Sequence, residues 1–169
     1  MPITTKKGDS GETSLCTGER VRKNDIRIQC CGAVDELNAS LGVALNYVSN
    51  DSVKQILEQI QQDLFTLGAE IACHAEIKTS KEQVEFLEKT IEAVESNLPE
   101  QKSFLMPKGT KATTFLHLAR TVCRRAERLV VAVPENKNTN QKINPELLRY
   151  LNRLGDLLYL LARAENQLT

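Results

Sequence analysis

Five stretches of this chain repeat apolar residues in steps of three and four, a spacing that a helix turns into one continuous face. The first carries Val34, Leu37, Leu41, Ala44 and Val48, and the second Val53, Ile56, Ile60, Leu64, Leu67 and Ile71. The third carries Val84, Leu87, Ile91, Val94 and Leu98. The fourth carries Phe115, Leu118, Val122, Ala126, Leu129 and Val133, and the fifth Leu147, Leu151, Leu154, Leu158 and Leu161. Punctuation falls between them. Asp51 is placed to cap the second helix, Ser80 with Gln83 forms a capping-box pattern before the third, and Thr110 can cap the fourth. Asn144 followed by Pro145 supplies a cap and a first-turn proline for the fifth. Pro99, Pro107-Lys108-Gly109 and the polar run 134–142 occupy the gaps. No alternating pattern of useful length competes as a strand. With 169 residues and 41% hydrophobic content the chain can build one core. The expected fold is all-α, a single five-helix bundle.

Charge is balanced in total and uneven in place. Lys and Arg number 22, as do Asp and Glu, which excludes non-specific nucleic acid as the partner of the whole surface. Yet residues 51–100 hold 11 acids against 4 bases. Residues 111–128 hold Lys111, Arg120, Arg124, Arg125 and Arg128 against Glu127 alone. No 18-residue apolar run exists, so no membrane span is expected. The N-terminus has neither a charged-then-apolar secretion signal nor an Arg-rich transit pattern. Five cysteines without a C-x-x-C pair fit reduced thiols in a cytoplasm better than disulfides or a zinc clip.

Ahead of the first helix, residues 4–27 read as a long loop with Gly8, Gly11 and Gly18 and six bases against four acids. Loops of that length in a compact domain are often functional. Thr5-Lys6-Lys7-Gly8-Asp9-Ser10-Gly11-Glu12-Thr13-Ser14 could turn backbone N–H groups, lysines and hydroxyls toward an anion, although it is not a Walker A loop. A flexible soluble tail is the other reading of the same residues. On the fourth helix Arg120, Arg124 and Arg128 recur every four residues, with His117 bordering the stripe. Stacked like charges cost helix stability unless something negative faces them, and the arginine fork suits carboxylate and phosphate. That partner could be a ligand or the acidic second and third helices. Small residues Ala119, Cys123 and Ala126 point to close packing around the stripe, and Arg125 lies on a different side. On the fifth helix Asn152, Arg153 and Asp156 break the apolar pattern, as Asp35, Glu36 and Asn38 do on the first, where Asp35 could face an arginine.

Other chemistries lack their residues. A di-iron bundle needs two Glu-x-x-His pairs, and the two histidines follow Ile71 and Thr114 at that spacing. Cys73-His74 is one pair with no second cluster, no nucleophile motif accompanies either histidine, and 4% aromatics without Trp is thin for single-stranded nucleic acid.

Taken in order, the motifs resemble a known family. Thr5-Lys6-Lys7-Gly8-Asp9-x-Gly11-x-Thr13-Ser14, Gly18-Glu19-Arg20-Val21-x-Lys23-Asn24-Asp25 and Gly32-Ala33-Val34-Asp35-Glu36-Leu37-Asn38 are similar to the opening of PduO-type ATP:cob(I)alamin adenosyltransferases. Phe104-Leu105-Met106-Pro107-Lys108-Gly109-Thr110, the run from Leu116 to Arg128, and Tyr150-Leu151-Asn152-Arg153-Leu154-x-Asp156 continue the likeness to about residue 165.

The resemblance implies a ferritin-like, cobalamin-adenosyltransferase-like bundle in a single domain spanning 1–169. Residues 1–27 would form a nucleotide-binding loop and about 28–167 the helices. It implies a homotrimer with ATP at the subunit interfaces, and transfer of the 5′-deoxyadenosyl group of ATP to cob(I)alamin with triphosphate leaving. A non-catalytic ATP- or cobalamin-binding carrier or sensor is the alternative. By the same resemblance Thr5, Lys6, Lys7, Gly8, Thr13, Ser14 and Lys23 wrap ATP from one subunit. Arg124, Arg125, Ala126, Glu127, Arg128 and Asn152 meet it from the next. Asp35 and Arg120 match an ion pair near the site, counted with Arg124 and Arg128 as catalytic. Phe104 matches the aromatic beneath the corrin. Magnesium is expected with the triphosphate, no metal is assigned to side chains, and a cobalamin reductase and an adenosylcobalamin-dependent enzyme are the expected partners. Three positions depart from the family pattern. Cys31 stands where an aromatic is common, Lys108 interrupts a Pro-Gly-Gly-Thr turn, and Gly155 replaces a serine.

Overall fold

The structure is a computed structural model that describes residues 3–72, 77–103, 105–133 and 143–167. Phe104, the Cys73-His74 pair and the polar run 134–142, singled out above, lie outside these residues. Among the described residues five helices form: α1 (Ile26–Leu45), α2 (Asp51–Ile71), α3 (Lys81–Ser96), α4 (Lys111–Val131) and α5 (Pro145–Gln167). The bundle expected from periodicity is present. Two short strands, β1 (Glu12–Ser14) and β2 (Arg20–Arg22), pair antiparallel within the segment expected to be a loop. Three-residue strands are too brief to show an alternating pattern, so the sequence concealed them.

Local chemistry sets the helix ends. Ser80 and Gln83 make the reciprocal capping box. The Thr110 hydroxyl accepts from the Thr113 amide at 3.0 Å, and the Asn144 side chain accepts from the Glu146 amide at 3.0 Å. The cap of α2 is Asn50, not Asp51. The Asn50 carboxamide oxygen accepts from the Ser52 and Val53 amides, while Asp51 is the first helical residue and binds Lys54 at 2.9 Å. Both residue types cap well.

α4 lies against both α1 and α5, α2 lies on α1, and α3 lies on α5. The Tyr47–Phe115 ring stack (5.3 Å) joins the residues just after α1 to the first turns of α4, and the Glu36–Arg125 ion pair joins the middle of α1 to the later turns of α4. These two helices are therefore antiparallel. The core joins Leu37 and Leu41 of α1, Leu57, Ile60 and Leu67 of α2, Leu87 of α3, Leu116 of α4, and Leu151, Leu154 and Leu158 of α5. One expected register fails. α4 buries Leu116, Ala119, Cys123, Ala126 and Val130, whereas Leu118 is 51% exposed and Phe115 and Leu129 are half-buried. A helix gripped on two sides selects its small residues for the contact and leaves bulkier ones at the margin.

A buried carboxylate closes the bundle. Asp63 of α2 accepts from Gln59 (3.1 Å), from Gln83 of α3 (2.8 Å) and from the hydroxyl of fully buried Tyr150 of α5 (2.9 Å). Burial and the neighbouring Asp63 hold the Tyr150 phenol well above its ordinary range, so it stays a donor. Tyr150→Phe leaves one Asp63 oxygen without this buried donor. It should destabilise the fold by about 1–3 kcal/mol in urea denaturation, whereas an unchanged midpoint would show that the bond contributes nothing.

Candidate functional site

Two polar surfaces answer to the sequence candidates. The first is the N-terminal turn and hairpin. Leu15 and Val21 are buried and pin the hairpin, while Thr5, Lys6, Lys7, Ser14 and Lys23 are exposed and Thr13 is half-buried. The Asp9 amide donates to the Lys6 carbonyl (3.3 Å), the Gly11 amide to the Gly8 carbonyl (3.2 Å), and the Lys23 amide to the Gly11 carbonyl (2.9 Å). The residues from 6 to 11 are thereby curled over the start of β2's exit. Lys6 sits at φ 58°, a left-handed conformation that costs a non-glycine residue energy and concentrates at ligand-binding turns. A methyl group at Gly8 would lie 3.0 Å from the Lys23 Nζ, so the ammonium rests over the glycine backbone. Around this cradle Arg20 donates to the Lys7 carbonyl at 3.1 Å and pairs with Glu12, and Arg27 pairs with Glu19 and Asp25. The Arg27 hydrogen bonds hold the Asp25 carboxyl below its usual range, which keeps this α1 cap charged.

The second surface is the side of α4 that faces α5. Ala119, Cys123 and Ala126 are fully buried, and the Cys123 thiol donates to the Leu151 carbonyl at 3.2 Å. Burial pushes that thiol up to about 12, so it packs as a small neutral group. Ala126 therefore joins helices and does not present its side chain to a ligand. Along the rim Arg124 and Arg128 are exposed, and among the described residues neither has an ion pair. The Arg124 stem crosses α5 at Gly155, where an added Cβ would meet its Cγ at 3.8 Å. That is ordinary contact, so the family's serine would also fit there. Next along the rim, Asn152 donates to Glu127 at 3.2 Å. Arg125 turns the other way and pairs with Glu36 of α1.

Arg120 takes a separate environment. Its guanidinium lies 6.0 Å from the centre of the Tyr159 ring, which also meets the His117 ring at 5.9 Å. Arg120 Nε, His117 Nδ1 and the Tyr159 hydroxyl are buried and, among the described residues, have no hydrogen-bond partners. Burial, and then the Arg120 charge, hold the His117 imidazole below its ordinary range and so neutral. Asp35, the expected partner of Arg120, is instead in a groove of about 500 Å³ between α1 and α2, with Asn38, Glu58, Gln61, Gln62 and the 73% exposed Phe65. Within one chain the two residues do not meet. Nor does any hydrogen bond or ion pair among the described residues join the cradle, residues 5–23, to residues 120–128.

Sequence reading missed two partners. Glu88 of α3 accepts from Arg153 at 3.0 Å, and Tyr159 receives both Arg120 and His117. Neither stands out by spacing, because each falls within its helix's ordinary pattern.

Residues 3–165 match the family described as cobalamin adenosyltransferase. The chain is 40% identical over 172 residues to the corrinoid adenosyltransferase PduO of Citrobacter freundii, covering 98% of this chain and 50% of that protein. It is 40% identical over 173 residues to the corrinoid adenosyltransferase of Bacillus subtilis (strain 168), covering 98% and 87%. It thus spans about half the length of the first relative and most of the second. Among solved structures, a phenylalanine-to-alanine variant of the PduO-type ATP:corrinoid adenosyltransferase of Lactobacillus reuteri, complexed with cobalamin and ATP, superposes with a TM-score of 0.87. That match has 34% identity and covers 99% of this chain and 94% of the other. An arginine-to-lysine variant of the same enzyme complexed with ATP gives a TM-score of 0.88 at 35% identity, covering 98% and 95%. A family match across nearly every residue, joined to this bundle and these motifs, means that the chain belongs to the cobalamin adenosyltransferase family.

Proposed function

We propose that this chain transfers the 5′-deoxyadenosyl group of ATP to the cobalt of cob(I)alamin and releases triphosphate. The observation that carries the reading is the pair of exposed arginines, Arg124 and Arg128, without ion pairs among the described residues, on a rim shared with Asn152 in a member of this family. In the reaction Co(I) supplies the electron pair, a cobalt–carbon bond forms at the 5′-carbon, and the carbon–oxygen bond to the triphosphate breaks. No side chain has to act as nucleophile or base. The protein's work is to hold two substrates in line and to stabilise charge on the leaving triphosphate. Fixed guanidinium groups suit that charge, and the lysine-bearing glycine turn suits the remaining phosphates.

Arg124 and Arg128 take the catalytic role in this reading. Thr5, Lys6, Lys7, Gly8, Thr13, Ser14 and Lys23 hold ATP from one subunit of a homotrimer, and the Arg124–Arg128 segment with Asn152 meets it from the next. That no hydrogen bond or ion pair joins cradle and arginine rim among the described residues of one chain is in keeping with a shared site. So is the cluster of polar atoms at Arg120, His117 and Tyr159 that lack partners among the described residues, since such groups ordinarily find them. Asp35 of the partner subunit is the acid that would meet Arg120. Phe104 presses on the lower face of the corrin. Magnesium arrives with the triphosphate, and among the described residues no three His, Cys, Asp or Glu side chains form a cluster for an ion. No helix among the described residues is long and apolar enough to cross a membrane. A cytoplasmic enzyme supplied by a cobalamin reductase, and handing its product to an adenosylcobalamin-dependent enzyme, fits this reading.

Anaerobic incubation with MgATP and chemically reduced cobalamin should yield adenosylcobalamin and triphosphate; binding of both without product would make the chain a carrier. Arg124→Ala should lower kcat by about 10²–10³-fold, the usual cost of one lost electrostatic donor, while the helices stay folded. Undiminished turnover would remove Arg124 from that role. Gly8→Ala should displace the Lys23 ammonium and raise KM for ATP by about tenfold, while stability shifts by no more than about 0.5 kcal/mol. An unchanged KM would show that the Lys23 position over Gly8 does not matter to ATP.

A further inference from the structure

Asn152 is held from both ends. Its Nδ2 donates to Glu127 Oε1 of α4 at 3.2 Å, and its Oδ1 accepts from Arg153 Nη1 at 2.9 Å. Arg153 in turn donates through Nε to Glu88 Oε1 of α3 at 3.0 Å. The four side chains form one line across three helices, alternating acceptor and donor: Glu88, Arg153, Asn152, Glu127.

The two ends of a carboxamide differ in what they can bind. A carboxylate only accepts and a guanidinium only donates, so Glu127 takes the NH₂ end and Arg153 the oxygen end. A flipped amide would set its NH₂ against the guanidinium and its oxygen against the carboxylate, losing both bonds. The terminal torsion of an asparagine is otherwise broad, and an exposed asparagine with one anchor samples a wide arc. Arginine is well suited to the second anchor. Its planar fork, once Nε is fixed on Glu88, aims Nη1 in a set direction, which the single rotating ammonium of lysine cannot do.

We propose that Arg153, braced by Glu88, is a positioning residue that fixes the Asn152 amide in the orientation that receives ATP. This rests on the reading of Asn152 as a nucleotide contact. Arg153 does not touch the nucleotide; it acts through its neighbour. Glu88 also binds the Arg153 charge in a structural pair, so the rim cations left for phosphate are Arg124 and Arg128.

The test is a double-mutant cycle on the full chain with MgATP and reduced cobalamin, reading KM for ATP and kcat separately. Arg153→Gln should raise KM about tenfold and leave kcat within about twofold, and Arg153→Lys should not restore it. Combined with Asn152→Ala, it should add nothing to the KM of Asn152→Ala alone, because both act through one group. Glu88→Ala, which keeps Arg153 and removes its brace, should raise KM about threefold. Thermal midpoints check folding, and a merely structural salt bridge would lower the midpoint without moving KM. An unchanged KM in Arg153→Gln, or effects that multiply in the double variant, would overturn the proposal. A wild-type chain that makes no adenosylcobalamin would instead overturn the reaction assigned above. The same cycle, read as ATP affinity by calorimetry, would still decide the role of Arg153.

Discussion

The close seating of α4 between α1 and α5 is the contact on which the rest of this molecule depends. Ala119, Cys123 and Ala126 are fully buried there, and their small side chains let the neighbouring helices approach. With two flanks of α4 occupied, Arg120 packs against the Tyr159 ring with its Nε buried, and the later arginines reach the rim. Arg124 and Arg128 emerge there beside α5, and Arg125 emerges on the α1 side, where Glu36 binds it. The arginine stripe is thus a consequence of packing as much as of charge. Cys123 illustrates the link. Its neutral thiol fills the seam, bonds the Leu151 carbonyl, and lies one residue before the arginine proposed to do the catalytic work.

Much of this was legible in the sequence. Five periodic stretches became five helices, and Ser80, Thr110 and Asn144 cap as their residue types demand. Periodicity was least reliable for α4, because a helix buried on two flanks has no single apolar face. Leu118, apolar and in step, is largely exposed, while His117 is buried. The choice of Asn50 over Asp51 as a cap was hidden because both residue types suit the position. At the site, the motifs singled out the residues of the N-terminal turn together with Glu127 and Asn152, but not the hydrogen bond that joins the last two. Nor did they single out the Glu88 brace, since nothing in the third helix marks one glutamate among several. Asp35 and Arg120 pair by likeness to a family, and within one folded chain they lie apart, Asp35 in the α1–α2 groove and Arg120 beside Tyr159; the shared site proposed above would bring them together across subunits.

Zero net charge also takes on a physical form. The acidic excess of residues 51–100 belongs to the α2–α3 stretch, and α4 packs instead on α1 and α5. Glu88 reaches only as far as Arg153 of α5. Among the described residues no acid pairs with Arg124 or Arg128, which is what the proposed triphosphate site requires of its rim. Uncompensated like charges every four residues destabilise a helix modestly, a cost that ligand binding can offset.

The division of the site between subunits is most directly tested by mixing two inactive variants, Arg124→Ala with an intact cradle and Lys6→Ala/Lys23→Ala with an intact rim, after dissociation and reassembly. A site built from the cradle of one subunit and the rim of the next regains both halves in about a quarter of the interfaces of randomly mixed trimers, and adenosylcobalamin synthesis should return to about that fraction of wild type. Mixtures that stay as inactive as the separate variants would contradict a site shared between the cradle of one subunit and the rim of the next.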